Sequence, residues 1–105
     1  MSEFYTTKDN YGANIYYLNI DNINIELTLD WTFDSIYFKY DKWIILSTGT
    51  KGVGTKGVDE FHKLIPEEIV MFKKIAFYAL NTFKPFSPES EKCLNGLRKI
   101  VDMYV

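Results

Sequence analysis

Residues 23–31 read Ile-Asn-Ile-Glu-Leu-Thr-Leu-Asp-Trp. Ile23, Ile25, Leu27, Leu29 and Trp31 alternate with Asn24, Glu26, Thr28 and Asp30 without a fault. A period of two places every apolar residue on one face of a strand and every polar residue on the other. On a helix the same residues would spread around the circumference. The spacing therefore predicts a strand with one dry face and one wet face.

Working outward, Asn14 to Ile20 holds Ile15, Tyr16, Tyr17, Leu18 and Ile20, the β-branched and aromatic types that favour a strand. Asp21-Asn22 between the two runs is a turn pair. Downstream, Phe33-Asp34-Ser35 breaks the alternation, and Ile36, Phe38 and Tyr40 resume it, with Tyr37 and Lys39 on the opposite face. Asp41-Lys42 is a short connection, and Trp43 to Leu46 is continuously apolar, as for a strand covered on both faces. Short connections favour antiparallel neighbours. The expectation is a four-stranded antiparallel β-meander over about residues 14–48.

After Pro66 the period changes. Ile69, Phe72, Ala76, Ala79 or Leu80, and Phe83 recur at the three- and four-residue spacing of one helical face. Pro66 suits the first turn, where its missing N–H costs nothing, and Glu67 and Glu68 suit the positive end of the helix dipole. Lys84-Pro85 ends this helix. Ser87-Pro88-Glu89 starts another, with Ser87 as N-cap and an apolar stripe of Leu94, Leu97, Ile100, Val101 and Tyr104. Gly96 lies inside this pattern and weakens it by roughly 1 kcal/mol relative to alanine. Asp59 to Leu64 adds a candidate third helical turn. Strands followed by helices, rather than alternating with them, give an α+β fold with the helices on one sheet face. The 105 residues make one domain: sheet at 14–48, a Gly/Lys-rich loop at 49–58, and a helical part at 59–105.

Composition narrows the function classes. A chain of 105 residues with 47% hydrophobic content can bury a core without disulfides or metal. One cysteine excludes an internal disulfide framework, and one histidine with one cysteine excludes a zinc-finger ligand set. The N-terminus lacks a basic segment followed by an apolar one, and no window reaches the length of a membrane span. A cytoplasmic protein without cofactor or metal is the expectation. The net charge of −2 argues against a dedicated nucleic-acid or membrane-surface binder. Charge is nevertheless uneven: residues 1–50 hold seven acids and three bases, and residues 51–105 hold seven acids and nine bases.

Gly52-Val53-Gly54-Thr55-Lys56-Gly57 has the G-x-G-x-x-G form after a strand and before a helix. A dinucleotide site also needs a second parallel strand with an acid about 20 residues on, and that position falls on Phe77 within the helical pattern. A phosphate-binding P-loop fails as well, because Thr55 stands where lysine is required. The segment reads better as a basic surface loop, with Lys51, Gly52, Gly54, Lys56 and Gly57 available to an anion or a partner. His62 has no evident nucleophile or second acid beside it. Cys93, at helical spacing from Leu97 and Ile100, reads as a small buried hydrophobe. Glu26 and Asp30 share the wet face but stand about 13 Å apart along a strand, too far for joint acid–base work.

The aromatic residues point elsewhere. Neighbours in a strand face opposite ways, so Tyr16 and Tyr17 cannot both be buried on one face, nor Tyr37 and Phe38. Some tyrosines must lie outside the core, and exposed tyrosines supply contact area at low entropic cost. Tyr16, Tyr37 and Tyr40, with the carboxylates Glu26, Asp30 and Asp34, are the candidate partner-binding residues. The sheet half carries few bases, which favours a protein partner over stacked nucleic-acid bases. A homodimer through a sheet edge or face fits the same features. The expected function is a small non-enzymatic protein-binding module, an inhibitor or immunity-type protein of a phage or mobile element that binds a larger protein. The rival readings are a small-ligand or nucleic-acid binder using loop 49–57, and a small enzyme using His62.

Overall fold

The structure, a computed structural model, describes residues 2–9, 12–32, 34–47 and 64–104, with the backbone only for 2–9 and 47. The expected strands form as β2 (Ala13–Ile20), β3 (Ile23–Asp30), β4 (Ser35–Lys39) and β5 (Trp43–Ser47). A further strand, β1 (Ser2–Asp9), precedes them and pairs antiparallel with β2. The sheet order is β1-β2-β3-β4-β5, every pair antiparallel. The helices are α1 (Pro66–Thr82) and α2 (Pro88–Met103). Of the candidate turn at 59–64 only Leu64 is described, and it is buried; His62 and the whole Gly/Lys-rich loop at 49–58 lie outside the described residues.

Local chemistry sets the register. Asp21 and Asn22 both adopt positive φ, 51° and 69°, the signature of a two-residue type I′ turn whose twist matches the strands it joins. Ile20 therefore faces Ile23, and each following pair of β2 and β3 is fixed. The Asn19 side chain donates to Asn24 Oδ1 at 2.6 Å and ties the strands beside this turn. The β3–β4 connection places Asp34 at φ 55°. Between β4 and β5 the register shifts after Ile36, which pairs with Ser47 while Tyr37 pairs with Ile45. One extra β5 residue, Leu46, is accommodated there as a bulge.

Helix ends follow the expected caps. Ser87 Oγ accepts the backbone N–H of Ser90 at 3.1 Å, and Pro88 opens α2. At α1 the N-cap is Ile65, which has no capping oxygen of its own. The Glu68 carboxylate instead folds back to accept the Ile65 N–H at 3.0 Å, which keeps this mostly buried acid satisfied.

Both helices cover the same sheet face, α1 over β2 and β3, α2 over β3 and β4. The core gathers Tyr16 and Leu18 of β2, Ile25, Leu27 and Leu29 of β3, Ile36 and Phe38 of β4, and Ile44 and Leu46 of β5. From the helices come Phe72, Ile75, Ala76 and Ala79, then Cys93, Leu94, Leu97, Ile100 and Val101. Full burial of each large apolar side chain contributes about 1.5–3 kcal/mol before the entropic cost of ordering it. Edge-to-face ring pairs orient the layers: Phe38 with Phe72 at 5.5 Å, Tyr16 with Tyr78 at 5.6 Å, and Trp31 with Phe86 at 5.0 Å. Cys93 is fully buried at the α2–sheet contact, as its spacing from Leu97 suggests.

Candidate functional site

With both helices on one side, the other side of the sheet carries no element of the described chain. Alternation and register decide what it presents. Tyr17 of β2 faces Glu26 of β3, Glu26 faces Lys39 of β4, and Lys39 faces Trp43 of β5. One row thus crosses four strands as Tyr-Glu-Lys-Trp. Beside it runs Ile15, Thr28, Tyr37 and Ile45. With neighbouring strands about 4.8 Å apart, each row spans roughly 14 Å. Trp43 is 51% exposed, and the other seven residues are half-buried. Lys39 Nζ stands 5.5 Å from the Trp43 ring centroid, a cation–π contact between strand neighbours. The result is an apolar and aromatic centre with one acid and one base in it, and Asp30 nearby on β3.

The candidate residues separate once the faces are assigned. Glu26, Asp30 and Tyr37 lie together on the open face. Tyr16 does not: it is 1% exposed and belongs to the core. Its parity is that of Leu18, so it points at the helices, where it meets Tyr78. Burial pushes the Tyr16 hydroxyl up to about 12, against a smaller lowering by the Asn14 side chain and a further rise from Tyr78. Tyr17 takes the place expected of Tyr16. Tyr40 also leaves the group, because it shares the parity of Phe38 and packs on the rim of the core. Its hydroxyl donates to Glu67 Oε2 at 2.5 Å, and this hydrogen bond is the main reason its pKa is raised, followed by burial. Asp34 sits in the β3–β4 turn and forms an ion pair with Lys92 of α2 at 3.6 Å. Lys51, Gly52, Gly54, Lys56 and Gly57 lie outside the described residues.

Six members of the two open-face rows, Ile15, Tyr17, Thr28, Lys39, Trp43 and Ile45, are not among the candidate residues the sequence offers. Trp43 to Leu46 was expected to be covered on both faces. Only Ile44 and Leu46 are buried, while Trp43 and Ile45 point to the open side. The signal that would have found Tyr17 is in the turn: a two-residue connection at Asp21-Asn22 places Tyr17 opposite Glu26, hence on the wet face.

Two concavities lie elsewhere. A groove of about 700 Å³ runs beside α2, lined among others by Asp34, Leu46, Lys92, Gly96, Lys99 and Met103. A smaller one of about 360 Å³ lies between the β4–β5 turn and the start of α1, with Tyr40, Asp41, Glu67 and Glu68 around Ile23 and Ile65. Among the described residues no group of three His, Cys, Asp or Glu side chains is placed to hold a metal ion, and no helix is long and apolar enough to cross a membrane. The Cys93 thiol is pushed up to about 12, chiefly by burial, then by Asp34 and Asp30, which leaves it protonated and inert at neutral pH. Comparison with protein-family models, with curated proteins and with solved structures finds no match, so the functional reading of this chain rests on its own residues.

Proposed function

We propose that this chain is a non-enzymatic protein-binding module that docks through the open face of its sheet, in the manner of an inhibitor or immunity-type protein acting on a larger protein. The observation that carries the reading is the pair of rows Tyr17-Glu26-Lys39-Trp43 and Ile15-Thr28-Tyr37-Ile45. A sheet face turned to water alone alternates to polar residues. This face instead keeps three aromatic and two branched aliphatic side chains within two adjacent rows. Large rigid aromatics around a few polar groups are what interface centres are built from. The face adds nothing to the α-side core, so its aromatics are accounted for by contact with another surface.

The test compares affinity capture from host lysate by the wild-type chain with capture by Trp43→Glu and by Phe77→Glu, the latter changing an exposed residue of α1. The expected result is one stoichiometric protein lost with Trp43→Glu and kept with Phe77→Glu, both variants retaining the wild-type circular dichroism. Equal recovery with all three chains would sink the open-face reading.

A further inference from the structure

The charge of the two layers differs in sign. Residues 2–47, which hold the strands and turns, carry seven acids and three bases, a balance of −4. Residues 64–104, which hold the helices, carry five acids and six bases, a balance of +1. The ion pair between Asp34 and Lys92 ties an acid of the sheet layer to the helical layer. Among the described side chains of the open face the acids are Glu26 and Asp30 and the base is Lys39, whose ammonium is turned onto the Trp43 ring. Glu26 forms no ion pair among the described residues, although Lys39 is its direct cross-strand neighbour. It stands opposite Tyr17, with Tyr37 on the diagonal, within reach of aromatic side chains.

A carboxylate flanked by a tyrosine on each neighbouring strand has a specific complement. A guanidinium is planar, stacks on an aromatic face, and pairs with a carboxylate through two parallel N–H···O bonds. A lysine ammonium matches only the charge. We infer that the open face takes a basic protein surface and seats one arginine of it at Glu26, between Tyr17 and Tyr37. This inference rests on the docking reading and adds the chemistry of the partner. A phosphate backbone is disfavoured, because single-stranded nucleic acid needs a positive groove beneath its stacked bases. A second copy of the chain would bring two faces of like charge together.

The test is an amide-resolved NMR titration of the full chain with three probes: a hexapeptide of alternating leucine and arginine, its leucine–glutamate counterpart, and hexathymidine. The arginine peptide is expected to shift the amides of Tyr17, Glu26, Tyr37 and Trp43, while the other two probes leave them unmoved. Glu26→Gln is expected to weaken the arginine peptide by roughly two- to fivefold with unchanged thermal stability, the range of an exposed ion pair. Equal shifts from the arginine and glutamate peptides would overturn the basic partner while leaving the docking reading intact. Shifts from hexathymidine at these amides would overturn it in favour of nucleic acid. Concentration-dependent broadening of the same amides without any probe would assign the face to a second copy. An arginine peptide that moves only the Glu67–Glu68 end of α1 would also overturn it, and the capture experiment with Trp43→Glu then judges the docking reading separately.

Discussion

Cys93 lies where α2 meets β4, its thiol 3.9 Å from the carbonyl oxygen of Ser35. Burial raises this thiol from 9.0 to about 12 and the Tyr16 hydroxyl from 10.0 to about 12. In both cases the folded chain holds a proton that the unfolded chain releases at lower pH. The associated stability is complete below pH 9.0 and is lost as the pH rises towards about 12, first through Cys93 and then through Tyr16. Each group in its window makes stability fall by about 1.4 kcal/mol per pH unit. Urea unfolding at a series of alkaline pH values is expected to show this decline, and Cys93→Ala is expected to delay its onset by about one pH unit, to the ordinary tyrosine range. An onset unchanged in Cys93→Ala would mean that the thiol is not held protonated by the fold.

At the scale of the element, the strand pairings depend on a few turn residues. Gly12 precedes β2 with φ 89°, and its carbonyl accepts both the N–H and the hydroxyl of Thr32. A methyl group there would lie 1.7 Å from Thr32 Oγ1 and 3.4 Å from the Trp31 ring. Gly12→Ala is therefore expected to cost about 1–3 kcal/mol, from the left-handed backbone and the collision together. Gly96 is the matched control: it is helical, and a methyl there meets Ile36 Cδ1 at an ordinary 3.7 Å. Denaturant unfolding should find Gly96→Ala neutral to about 1 kcal/mol more stable. Equal losses at both positions would contradict the assigned turn.

Much of this level is legible in the chain. The alternation of residues 23–31, the Asp21-Asn22 pair, the Pro66 start and the Ser87-Pro88 cap each carry a local physical signal, and each lies where that signal puts it. β1 is not legible, because Ser-Glu-Phe-Tyr-Thr-Thr-Lys-Asp sets its two aromatics side by side and keeps charges at both ends. Its strand identity comes from pairing with β2, a long-range fact. The open-face aromatics were half legible. Alternation demanded that one of Tyr16 and Tyr17 be exposed, but only the register across the turn says which. The unbroken apolar run of β5 conceals a strand with one open side, since continuous hydrophobicity describes a strand between two layers and a strand with one uncovered apolar face equally well.

For the molecule as a whole, the fold divides its work between two faces of one sheet. The helical side supplies the core, with the largest fully buried side chains and the ring pairs that join the layers. The open side presents the aromatic side chains of Tyr17, Tyr37 and Trp43 in a layer of net negative charge. The helical layer also exposes large apolar residues, Val70 and Phe77 on α1 and Phe86 before α2. These offer an internal comparison, because Trp43 and Phe77 are exposed to similar degrees, 51% and 44%. The most direct measurement is hydroxyl-radical footprinting of the chain, free and bound to the partner recovered by capture, read residue by residue. Oxidation of Trp43, Tyr37 and Tyr17 is expected to fall in the complex while that of Phe77 and Phe86 stays at its free level. Protection of Phe77 or Phe86 with Trp43 and Tyr37 left reactive would contradict the account, and would move the binding surface to the helices.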